Sequence, residues 1–179
     1  VVDPTRTVRW SYRGLFLLLS AFFVFLRILP LSTVPSSWPG PDLMLCLTFA
    51  WVLRRPDFVP ALMIAAVFLI EDILYMRPPG LMALLILLGS EFLRTREAGM
   101  RGLPFPAEWA VVAVVMVTIM LVYRAVLAIL VVPQGAFGFA LLQVLTTILA
   151  YPVVVWVSHH LFGLRRAATG EVDALGHRL

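Results

Sequence analysis

Six apolar runs, separated by short polar or proline-containing breaks, make up most of the chain. The first covers residues 14–29; Arg6, Arg9 and Arg13 precede it and Pro30 stops it. A Pro/Ser-rich connection with no basic residue leads to the second run, residues 43–53. Counted from Pro41, that run is only about 20 Å long at 1.5 Å per residue, against a hydrocarbon core of about 30 Å. By length alone it is a short span, a re-entrant segment, or a helix beside thinned bilayer. The tight polar turn Arg54-Arg55-Pro56-Asp57 follows. The third run, residues 58–75, is interrupted only by Glu71 and Asp72, and a second tight turn holds Arg77, Pro78, Pro79 and Gly80. The fourth run covers residues 81–93. Residues 94–106 then form the longest polar connection, with Arg94, Arg96 and Arg101. The fifth run, residues 107–132, contains Arg124; the sixth, residues 136–164, contains Pro152 and leads into a polar tail.

Composition turns this pattern into a class. Of 179 residues, 61% are hydrophobic and 13% charged, against about 45–50% and 25% in a typical soluble domain. Mean hydropathy is +0.98. A soluble fold of this size has too little interior for so much apolar surface, and disorder requires the opposite composition. The expectation is an all-α integral membrane protein of about six transmembrane helices. Residues 1–13 form a cytoplasmic segment, residues 14–164 the membrane domain, and residues 165–179 a cytoplasmic tail.

The net charge is +4, and all 14 basic residues are arginine. Their scatter in short clusters speaks against nucleic-acid binding and for the positive-inside rule. Odd-numbered connections, counting both termini, hold 11 arginines and even-numbered ones hold 1; Arg27 and Arg124 lie inside runs. That alternation predicts six crossings with both termini cytoplasmic, and it requires the short second run to cross. Trp10, Trp51 and Trp109 fall near the predicted cytoplasmic ends, as in an interfacial aromatic belt. The first run is followed by prolines rather than a small-residue cleavage site, so it reads as a retained span. Cys46 has no partner for an internal disulfide.

Charged side chains within spans are costly and are candidate functional groups. Arg27, Glu71, Asp72 and Arg124 all come out in the outer part of the bilayer by counting rise per residue. Two bases and two acids at one level suggest mutual pairing, which either lines a small polar pocket or locks helices together; snorkelling of the arginines is the other reading. Glu91 stands three residues before Arg94, the spacing of a helix-surface pair. His159 and His160 point about 100° apart on a helix, and no metal-ligand motif accompanies them, so no metal or cofactor is expected. Ser20, Ser90 and Ser158 lack a readable base and third partner, so no catalytic residue is expected. Pro152 reads as a kink rather than a break, and Gln143, Thr146 and Thr147 as interhelical hydrogen-bonding groups.

Two stretches go further than composition. Pro41-Asp42-Leu43 opens the short second span. Glu71-Asp72-Ile73-Leu74-Tyr75-Met76-Arg77-Pro78-Pro79-Gly80-Leu81 is an acidic span end, a Pro-Gly turn and the start of a Leu-rich span. With the six-run layout, this resembles MreD, the rod shape-determining membrane protein family of bacteria, from about residue 14 to residue 162. The resemblance implies a fold like the S component of ECF transporters and a non-enzymatic role as a scaffold of the cell-elongation machinery in the inner (cytoplasmic) membrane. It implies direct binding to the bitopic protein MreC, within an assembly that includes MreB, RodA and a class B penicillin-binding protein and directs lateral peptidoglycan synthesis. The acidic pair Glu71 and Asp72 and the Arg77-Pro78-Pro79-Gly80 turn are the family-like positions. Arg27, Asp42, Glu71, Asp72, Arg77, Gly80 and Arg124 are the candidate partner or pocket residues. The competing expectation is a small-molecule-binding transporter subunit; a more distant one is an intramembrane enzyme using Asp72.

Overall fold

A computed structural model describes residues 4–29, 39–100 and 102–162, with side chains from Thr7 onward. The described residues form six α-helices and a single 3-10 turn. These are α1 (Pro4–Ile28), α2 (Leu43–Arg54), the turn Pro56–Phe58, α3 (Ala61–Leu74), α4 (Leu81–Met100), α5 (Phe105–Ile129) and α6 (Phe137–Phe162). Three segments are long and apolar enough to cross a membrane: Thr7–Ile28, Phe105–Ile129 and Phe137–Phe162. The outer faces carry large exposed apolar side chains, among them Phe22, Phe25, Leu62, Val114, Leu149 and Val153, while Asp42, Arg54, Glu71, Asp72 and Glu108 are buried. An apolar exterior around buried charges fits a membrane protein.

The short second run is the centre of the bundle. Every residue of α2 except Leu43 is buried, and the helix packs against α1, α4 and α6. Being apolar all round, it belongs in an interior rather than at a surface. At 12 residues it spans about 18 Å, a length that suffices because its ends meet protein. Trp51 therefore departs from the interfacial expectation. It is 0% exposed, lies among the rings of Tyr12, Phe16 and Phe162, and donates its Nε1–H to Ser158 Oγ at 3.4 Å. Trp109 is half-buried and donates to the Ile148 carbonyl; Trp10 is exposed, beside Arg13.

Contacts between chain-distant residues sort the helix ends into two sets. At one end Tyr12 reaches the Phe162 carbonyl, Arg13 the Asp57 carbonyl, Arg94 the Pro56 and Val59 carbonyls, and Arg54 reaches Glu108. At the other, Arg27 reaches Asp42 and Glu71, and Asp42 reaches Thr147. Successive helices therefore alternate in direction.

Some boundaries differ from the sequence expectation. The first helix begins at Pro4, so the described part of the N-terminal segment is helical. The longest polar connection is largely helix: α4 runs on to Met100, because Arg, Glu and Ala sustain helix well and Glu91 pairs with Arg94 at 3.1 Å. Pro152 lies inside an unbroken α6. Gly89 lets α4 approach its neighbours closely, since a Cβ there would meet Ile119, Val115 and Phe49 side-chain atoms at 3.0–3.3 Å. Residues 30–38 and the tail 165–179 lie outside the described residues.

α3 and α5 end alike. Met76 and Val131 adopt φ of 51° and 55°, and the next residue's N–H returns to the helix, Arg77 to Asp72 O and Val132 to Leu127 O. This left-handed cap favours glycine; a β-branched residue in it is strained by about 1–2 kcal/mol. Val131 is also exposed. Val131→Gly is therefore expected to stabilise the protein by about 1 kcal/mol, read as a higher midpoint of thermal unfolding in detergent.

Candidate functional site

The sequence candidates gather at the end of the bundle where α1 and α3 finish and α2 begins. Asp42 caps α2: its Oδ1 accepts from the Leu45 N–H at 3.1 Å, and its own N–H donates to Thr147 Oγ1 at 2.9 Å. A carboxylate at a helix N-terminus also meets the positive end of the helix dipole. Arg27, in the last turn of α1, places Nη1 3.5 Å from Asp42 Oδ2 and 3.4 Å from Glu71 Oε1. One guanidinium thus ties three helices together. The side chain of Arg27 is 35% exposed, whereas those of both acids are almost fully buried.

Glu71 and Asp72 face different tasks although adjacent. Asp72 Oδ2 accepts the N–H groups of Gly80 (3.1 Å) and Ala83 (3.2 Å). It caps α4 from the end of the preceding helix and closes the α3–α4 turn. Gly80 sits at φ 87° in that turn, a region open to glycine without strain. Arg77 and Arg27 each lie 5.1 Å from the centre of the Tyr75 ring. Asp72→Ala strips two donors of their acceptor, and the loss of the cap is expected to cost about 2 kcal/mol. Asp72→Asn keeps an acceptor oxygen and should cost much less. Equilibrium unfolding of both variants in mixed micelles checks the difference.

Arg124 does not join this group as the depth count suggested. Its Nη2 donates to the Gly135 carbonyl at 3.1 Å, its guanidinium lies over Phe137, and Gln134 Nε2 returns to the Arg124 carbonyl. It holds the α5–α6 turn.

Two cavities open at this end. One, of about 410 Å³, is lined by Phe23, Arg27, Asp42, Glu71, Tyr75 and Gln143 among others. The second, of about 310 Å³, shares Asp42 and Gln143 with it and adds Arg77, Tyr123 and Arg124. Within the first, Glu71 Oε2 and Tyr75 OH have no hydrogen-bond partner among the described residues.

A second charged group, at the opposite end, was not foreseen from the sequence. Arg54 Nη1 lies 3.0 Å from Glu108 Oε1, and the Tyr151 hydroxyl donates to the same oxygen at 2.6 Å. Arg54 also donates to the Ala50 carbonyl at 3.2 Å, so a cation stands at the negative end of α2. α2 is thus clamped by a charged cluster at each end. A cavity of about 630 Å³ beside Glu108 is lined by Trp156, His159 and His160. His160 lies against Trp156 rather than beside further ligands, and the described residues hold no group of three potential metal ligands.

No protein-family model matches this chain, and no curated protein or solved structure matches it either.

Proposed function

We propose that this protein is a non-enzymatic scaffold of the MreD type in the bacterial inner membrane, binding a single-pass coiled-coil protein of the MreC type. Its place is the assembly that directs lateral peptidoglycan synthesis, with MreB, RodA and a class B penicillin-binding protein as more distant members. In this reading all six helices cross, and both termini are cytoplasmic. The alternation of arginines along the chain supports that topology, as does the alternating direction of the helices.

The observation that supports the reading is the use made of the stretch that resembles that family. Its acidic pair and Pro-Gly turn build a joint: Asp72 caps α4, and Glu71 meets Arg27 of α1. These groups fix the inside of the bundle. The exposed apolar faces of α1, α3, α5 and α6 are left for lipid or a partner helix, and helices associate in lipid by close packing. The cavity beside Arg27, Asp42 and Glu71 favours one alternative, a small-molecule-binding subunit resembling the S component of ECF transporters.

A mild-detergent pull-down of the tagged protein from its native membrane, followed by mass spectrometry, separates them. A bitopic coiled-coil protein accompanied by elongation polymerases is the expected result. Recovery of an ATPase pair with no such protein would overturn the scaffold reading in favour of the transporter subunit.

A further inference from the structure

The cavity at the Arg27 end is lined by more acidic side chains than basic ones. Its ionisable lining comprises one base, Arg27, and two acids, Asp42 and Glu71. Glu71 is 2% exposed, and its Oε2 is unpaired among the described residues, as is Tyr75 OH. Burying a carboxylate oxygen without a partner is costly. The cavity of about 410 Å³ lies within the usual range for small-ligand sites.

We propose that this cavity binds the primary ammonium group of an amine, either free or carried on a lipid headgroup, held by Glu71 with Tyr75 and Gln143. An ammonium has three donors and no acceptor. The cavity presents a carboxyl oxygen and a hydroxyl that have no partner among the described residues, and the Gln143 amide. A quaternary ammonium lacks the donors that these acceptors require. Phe23, Val24 and Leu26 of α1 also line the cavity, beside exposed Phe22, Phe25 and Ile28, so acyl chains attached to a seated headgroup have an apolar surface to follow. The proposal stands on the cavity alone and is independent of the scaffold reading.

The test uses purified full-length protein in detergent. Native mass spectrometry measures retention of phosphatidylethanolamine against phosphatidylcholine and phosphatidylglycerol of matched chains. Thermal unfolding with and without ethanolamine measures binding of a free amine. A lipid source predicts that the wild-type protein retains phosphatidylethanolamine about tenfold over both other lipids, as a charge-assisted hydrogen bond implies. Glu71→Gln should bring retention near parity. A soluble source predicts that ethanolamine raises the unfolding midpoint of the wild type but not of Glu71→Gln. If Glu71→Gln does not fold, Tyr75→Phe replaces it and should lower the preference severalfold. Equal retention of the three lipids by the wild type, with no effect of ethanolamine, overturns the proposal. So does undiminished selectivity in a folded Glu71→Gln.

Discussion

Arg54→Ala is expected to destabilise the protein by about 3–5 kcal/mol, the usual cost of leaving one partner of a buried ion pair behind. The substitution takes the Arg54 guanidinium away from Glu108, which is 0% exposed, while the Tyr151 hydroxyl stays attached. It also removes the cation from the carbonyl end of α2. The effect belongs to a buried charge that has lost its Arg54 partner, so removing the charge should reverse most of it. In Arg54→Met with Glu108→Gln, the amide oxygen still accepts from Tyr151, and the methionine fills the space of the arginine stem. Denaturant titration in mixed micelles should place the double variant within about 1–2 kcal/mol of the wild type. A single variant as stable as the wild type would show that the pair does not hold α2.

Trp51→Ala is the second large effect, at about 3–5 kcal/mol. The indole fills the junction of α1, α2 and α6 against Tyr12, Phe16 and Phe162, and its loss opens a cavity and leaves Ser158 Oγ without its donor. Trp51→Phe keeps much of the ring volume and should lose less than half as much. A fall in unfolding midpoint by the same small amount for both substitutions would mean that the site is not tightly packed.

Much of the fold was legible because long apolar runs and their breaks follow directly from the cost of burying polar backbone and charge in lipid. The six helices match the six runs, and the Glu91–Arg94 pair follows from helical spacing alone. Depth put Arg27 and Glu71 at one level, but their contact, the inclusion of Asp42 and the separate duty of Arg124 were not readable. Depth orders groups along the membrane normal and says nothing about which helices are neighbours.

The Arg54–Glu108–Tyr151 group stayed hidden for a related reason. Arg54 stands beside Arg55, in a cluster that reads as one cytoplasmic turn, and Glu108 stands at the edge of a later run. Their contact joins helices that are not consecutive, and no local periodicity encodes it. One signal was available. The second run is apolar on every face, and that marks an interior helix. It would have placed Trp51 in the core and a buried arginine at the end of α2.

The central position of α2 also constrains how the protein is made. A 12-residue helix of about 18 Å cannot satisfy a hydrocarbon core of about 30 Å unaided. Much of its cover comes from α6, which is made after it, and the partner of its terminal arginine lies on α5. α2 is therefore synthesised before α5 and α6 and reaches its final setting only after them. Until then α2 has only the part of its cover that α1 and α4 supply. A chain stopped before α6 should be degraded rather than accumulate as a smaller bundle.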